Sequence, residues 1–179
     1  MKTLKTLLAA IVFVGLTTGA VAQNTDNASA EATTRVISAI EVSQAADIAW
    51  GDVNRDTSPV LDPVAGTADN TVDNDDFSIG KFEISGADDA DVMITWDGTI
   101  ELTHAQGATM DWTPDVSFDN DDDANEGDFG GALINSGNGD NTLSSGGEGF
   151  VWVGGGFNVD ENQQPGNYDA TFVLTVEYE

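Results

Sequence analysis

Beyond an apolar N-terminal stretch, hydrophobic residues in this chain recur at every second position, and no window holds a sustained i, i+3, i+4, i+7 stripe. The alternation is clearest at the C-terminus. Tyr168, Ala170, Phe172, Leu174, Val176 and Tyr178 share one face, while Asp169, Thr171, Val173, Thr175 and Glu177 share the other. Such a period predicts a strand with one face packed on a core, and Pro165-Gly166-Asn167 supplies the turn before it. A first strand is predicted from Arg35, with Val36, Ser38, Ile40 and Val42 on one face, and a short one at Ile48-Ala49-Trp50. Further strands are predicted at 80–85, 91–96, 99–104, 110–118, 149–153 and 157–159, with Asp97-Gly98 as a two-residue hairpin signal. Segments 52–78 and 119–147 read as acidic loops rich in Gly, Asn and Asp, the second with a short strand at Ala132-Leu133-Ile134. Short strands, turn clusters and 20 glycines together predict an all-β fold, an antiparallel two-sheet β-sandwich of immunoglobulin-like architecture.

The N-terminal stretch is of a different kind. Lys2 and Lys5 precede an apolar run from Leu7 to Leu16, and Ala20-Val21-Ala22 offers the small-x-small pattern of a cleavage site. Residues 1–22 therefore read as a secretory signal peptide, too short in its apolar part to span a bilayer. Residues 23–34 read as a flexible polar leader and 35–179 as one β-sandwich domain. The expected destination is export, to the periplasm, the cell surface or the medium, with no membrane span after cleavage. Cysteine is absent, so neither a disulfide framework nor a lipid-anchored cysteine is available.

Charge narrows the partners. After residue 22 only Arg35, Arg55 and Lys81 stand against 32 acidic residues, a net of −29 for the processed chain. Nothing here neutralises phosphates, which excludes nucleic acid as an expected partner. Crowded like charges are relieved by salt, because the Debye length falls from about 10 Å at 0.1 M to about 3 Å at 1 M. The composition thus points to a halophilic, salt-adapted setting.

Candidate chemistry is sparse. Asp119, Asp121 and Asp123 have the alternating spacing of a calcium loop, but Ala124 and Gly130 occupy the positions where an EF-hand needs Gly and an acid. A looser calcium site gathering Asp119, Asp121, Asp123, Glu126 and Asp128 competes with the reading of a solvated loop. His104 is the lone histidine, which gives no zinc set, and no G-x-S-x-G elbow accompanies it. Glycine-rich 154–157 lacks the Lys-Ser/Thr of a phosphate loop. Trp50, Trp96, Trp112 and Trp152 suit either a core or a sugar-stacking surface. The residues predict no enzyme.

The closing segment QQPGNYDATFVLTVEYE, the opening TTRVISAIEVSQAADIAWGDV and the glycine-rich FVWVGGGFNV resemble the exported bacterial proteins of the domain-of-unknown-function 4402 family. The same last strand is similar to the C-terminal motif of chaperone–usher pilins, with Tyr178 penultimate and Gly166 near the strand start. That likeness implies an open groove beside the strand, filled first by a periplasmic chaperone and then by another copy of this chain or a homologous subunit, whereas the residues alone equally fit a central strand of a closed sandwich. Gly166, Tyr168, Ala170, Phe172, Leu174, Val176 and Tyr178 would carry the interaction. The pilin cysteine pair is missing, and Ala28, Ala30 and Ala32 are small for a donor strand. The expected function is an exported structural protein of fimbria-like type, the alternative being a secreted calcium- or carbohydrate-binding adhesion module. The charge reading makes a direct forecast: the melting temperature rises between dilute buffer and molar sodium chloride, followed by circular dichroism.

Overall fold

The computed structural model describes residues 28–72, 76–121 and 131–179. The predicted signal, residues 1–22, lies outside them. Residues 28–35 are exposed and carry no regular structure. From Val36 onward the described chain is all strand and turn. In chain order the first seven strands are β1 (Glu41–Ala46), β2 (Val60–Asp62), β3 (Thr67–Asp69), β4 (Gly80–Ser85), β5 (Asp91–Thr95), β6 (Ile100–His104) and β7 (Thr109–Thr113). The remainder are β8 (Val116–Asp119), β9 (Ala132–Leu133), β10 (Asn138–Thr142), β11 (Glu148–Val153), β12 (Gly155–Phe157), β13 (Tyr168–Asp169) and β14 (Thr175–Tyr178).

One layer of the sandwich is a five-stranded sheet in the order β1-β4-β11-β8-β9. The opposing layer is curled and made of two sheets, β10-β5-β14 and β13-β6-β7-β12-β2-β3. All pairings are antiparallel. The alternation in sequence decides what goes inside. Ile84, Val151, Val153 and Val116 from the first layer meet Val92, Ile94, Leu102, Met110 and Trp112 from the second in one buried cluster. Removing that apolar surface from water is the main force holding the layers together.

The other face of β11 is covered as well. Trp152 is 0% exposed there and packs with Leu61, Ala68 and Ile79 in a second cluster. Leu61 and Ala68 come from the β2–β3 hairpin, so segment 52–78 contributes core as well as acidic surface. Its turn is built from an acid: the Asp62 carboxylate accepts hydrogen bonds from the Val64 and Ala65 amides at 2.9 and 3.0 Å. A short side chain bonding its own downstream backbone in this way fixes a turn, so not every carboxylate here is only a solvated charge. Lys81 lies 5.0 Å over the Phe150 ring, shielding the outer aromatic surface with a cation.

Several elements differ from expectation. The run 110–118 is two strands, β7 and β8, in different sheets, Ile48-Ala49-Trp50 makes only an isolated bridge from Ala49 to Ser78, and the segment 119–147 holds β10 as well as β9. The first strand begins its ladder at Glu41 rather than Arg35, because only residues from Glu41 onward find partners on β4. Asp97-Gly98 is no hairpin: β5 and β6 do not pair with each other, and neither residue adopts positive φ. Both strands instead pair with the C-terminal segment, Thr175 opposite Thr95 and Asp169 opposite Thr103. Residues 91–104 therefore act as a single interrupted strand running antiparallel to 168–178, with Asp97-Gly98 inside the interruption. The turn chemistry was present, but the long C-terminal partner outcompeted the local hairpin. Leu61→Ala empties a fully buried position in the second cluster, and its expected cost is about 2–5 kcal/mol in urea denaturation.

Candidate functional site

The C-terminal run is the most unusual element of the sandwich. Its side chains alternate between half-buried and exposed from Thr171 to Glu179. Tyr168, Phe172, Leu174, Val176 and Tyr178 all pack against the main core, as the period-two pattern predicts. Ala170 departs from that pattern and is exposed, since a methyl group there reaches nothing in the core. The face as a whole is half-covered rather than dry.

The backbone is equally incomplete. Only the ends of the run, β13 and β14, are laddered; residues 170–174 have no ladder and no backbone–backbone hydrogen bond among the described residues. Other sheet edges are blunted. β1 and β10 carry register shifts, while β3 and β9 have three and two residues. Irregular or very short edges are poor templates for another strand. The C-terminal run keeps its alternation over its full length and has no charge between Ala170 and Val176.

Beside it lies an open trough of about 1200 Å³. Its wall is a chain of aromatic rings. Phe157 and Trp112 each meet Trp50 edge-on at 5.0 and 5.2 Å, and Phe172 lies 5.7 Å from Trp112 and 5.8 Å from Phe82. The two indoles are fixed from behind. Trp50 Nε1 donates to the Gly155 carbonyl at 3.1 Å, and Trp112 Nε1 to the Gly154 carbonyl at 3.0 Å. The glycine run at 154–156 is thus a crowding point: a Cβ on Gly155, whose φ is +96°, would lie 2.1 Å from the Thr113 carbonyl oxygen.

Each end of the run is tied by a tyrosine. Tyr168 Oη donates to the Gln164 carbonyl and accepts from Gln163 Nε2, both at 2.8 Å. Gly166, at φ +138°, lets the turn pass the His104 imidazole, where an added Cβ would come within 2.3 Å of Nε2. His104 faces Tyr168 at 5.2 Å between ring centroids, so the lone histidine is part of this turn. At the far end Tyr178 Oη accepts from the Ala87 amide at 2.6 Å and donates to the Ser38 carbonyl at 2.9 Å. The predicted strand-interaction residues thus come together along one edge, with Gly166 shaping its entry.

A protein-family model, described as domain of unknown function DUF4402, matches residues 40–178. The chain belongs to the DUF4402 family. Among curated proteins none matches it. The matched span runs from just before β1 to the C-terminal tyrosine and so includes the whole trough and its open edge.

The candidate calcium set is not brought together by what is described. Asp119 and Asp121 are adjacent, the Asp119 carboxylate accepting from the Asp121 amide at 3.2 Å, while Asp123, Glu126 and Asp128 lie outside the described residues. Among the described residues no group of three His, Cys, Asp or Glu side chains is placed to hold a metal. Burial, followed by the charge of nearby Asp62, holds the Asp115 carboxyl above the usual carboxylate range, but neither residue lines the trough. No helix of the described residues is long and apolar enough to cross a membrane. Sequence reasoning missed the trough wall, because Trp50, Phe82, Trp112 and Phe157 come from four separate segments and share no spacing. Gly166→Ala and Tyr178→Phe both lower the expected melting temperature, the first through strained φ and the His104 clash. The second loses two hydrogen bonds, about 1–3 kcal/mol if the Ala87 amide stays unsatisfied.

Proposed function

We propose that this DUF4402 protein is an exported, non-enzymatic structural component of the cell surface or extracellular space that joins its partners by strand addition along residues 168–178. One observation carries the reading: residues 170–174 present an unladdered backbone edge beside an aromatic trough, in a sandwich whose other edges are blunted. A strand laid there gains main-chain hydrogen bonds from the edge and buries alternate side chains against the trough wall. The apolar run at 1–22 and the acidic surface fit export into a salty medium.

The carbohydrate-binding alternative draws on the same aromatic rings. It is the weaker reading, because Trp112 and Trp152 are buried and offer no ring face for a sugar to stack on. Neither reading uses His104 as a base, since its Nδ1 accepts from the Gln106 amide and its ring lies in the Gly166 turn.

Ala170→Pro tests strand addition with little disturbance of the sandwich. Ala170 is exposed, its amide points away from β6, to which Asp169 is paired, and it makes no backbone–backbone hydrogen bond among the described residues. The expected result is a nearly unchanged melting temperature but loss of the protein from surface assemblies of the producing cell, scored by shearing and immunoblotting. Incorporation at the unsubstituted level would overturn the proposal.

A further inference from the structure

We infer that the segment completing this trough comes from a different polypeptide, extended, with bulky apolar residues at alternate positions and basic flanks, rather than from a second copy of this chain. The inference rests on the strand-addition reading and specifies its partner.

Shape is the first argument. The trough measures about 1200 Å³, above the roughly 300–1,000 Å³ of pockets that enclose small molecules, and it is open along a strand edge. Its wall presents the half-exposed rings of Trp50, Phe82 and Phe172, backed by the buried rings of Trp112 and Phe157. A segment that fills it must bring branched or aromatic residues, since a gap against such a wall forfeits the dispersion contacts that packing requires. The chain's own leader, QNTDNASAEATT, offers only methyl groups at the alternate positions Ala28, Ala30 and Ala32, followed by Thr34. The first residues beyond it with large apolar side chains are Val36, Ile37 and Ile40. Of these Ile40 packs on its own core and the Ser38 carbonyl accepts from the same domain's Tyr178, which leaves Val36 and Ile37 as the only exposed large apolar residues next to the leader.

Charge is the second, independent argument. After residue 22 the chain has 32 acidic against three basic residues, so below molar salt two copies meeting face to face repel. The trough is rimmed by Asp47, Asp52 and Asp169 with Arg55 as the one cation among its lining residues. A neutral-to-acidic leader meets this rim without gain. A segment with lysine or arginine at its ends meets it with complementary charge, which sets both encounter rate and specificity.

Synthetic peptides separate the possibilities. The probes are KKVTFTLTVKK, its acidic-ended analogue EEVTFTLTVEE, the same basic composition with the alternation broken (KKVFLVTTTKK), and this chain's residues 23–35. The readouts are amide exchange at 170–174, tryptophan fluorescence and melting temperature, all on the processed protein. At physiological ionic strength, where the Debye length is about 8 Å, the expected result is exchange slowed about tenfold or more by KKVTFTLTVKK alone. Its advantage over the acidic-ended analogue should shrink in molar salt. Equal or better protection by residues 23–35 would overturn the inference and leave strand addition standing, with a second copy as the partner. Equal protection by the broken-alternation peptide would overturn the demand for alternating apolar residues. If no peptide slows exchange at 170–174, the inference and the strand-addition reading both fall.

Discussion

A hydrogen-bonded edge that is left open in the middle, over an apolar face that is only half covered, organises much of this molecule. Burying the alternate side chains of 168–178 favours an extended conformation, and pairing at the two ends holds it there. The central residues then remain hydrated along their backbone. Water satisfies those groups adequately, which is why a folded domain can tolerate them. A protein strand would satisfy them while covering the half-exposed rings of Trp50, Phe82 and Phe172. The same constraint gives several other features a purpose: the Gly166 turn, the two tyrosine ties and the indoles braced on the glycine run all keep the trough from collapsing onto its own wall.

Much of the fold was legible because period-two alternation is a local signal with a direct physical meaning. The chain from Val36 has the antiparallel two-layer sandwich that its alternation and turn residues predicted, and Tyr168, Phe172, Leu174, Val176 and Tyr178 do share an inward face. What escaped was non-local. The Asp97-Gly98 pair has the composition of a tight hairpin, yet the segment from Tyr168 pairs with both flanking strands and holds them in line. The acid-rich segment 52–78 looks like solvent-facing loop, but Leu61 and Ala68 within it cover Trp152. The trough itself could not be read from spacing, because its wall exists only after distant strands have met.

The distribution of charge follows from the same architecture. A two-layer sandwich of this size has little room for ionised groups inside, and the described buried polar or charged residues are only Ser117 and Asn141. Nearly every carboxylate among the described residues is therefore displayed outward. That arrangement discourages like copies from sticking to each other outside strong salt and leaves the trough, with its half-exposed rings, as a surface able to reward contact. Specificity would then come from two opposed tendencies acting together, a repulsive exterior and a single receptive seam.

The hydrogen bond from the Tyr178 phenol to the Ser38 carbonyl has a mechanical consequence. It joins the segment entering β1 to the last strand, 140 positions apart in the chain. A tensile load entering near Ser38 would pass partly along the antiparallel β1–β4 ladder, whose bonds lie across the pull and resist shear collectively. The rest would pass through the phenol to β14 and on to β5. Force would be shared between both layers of the sandwich before any single strand could peel away.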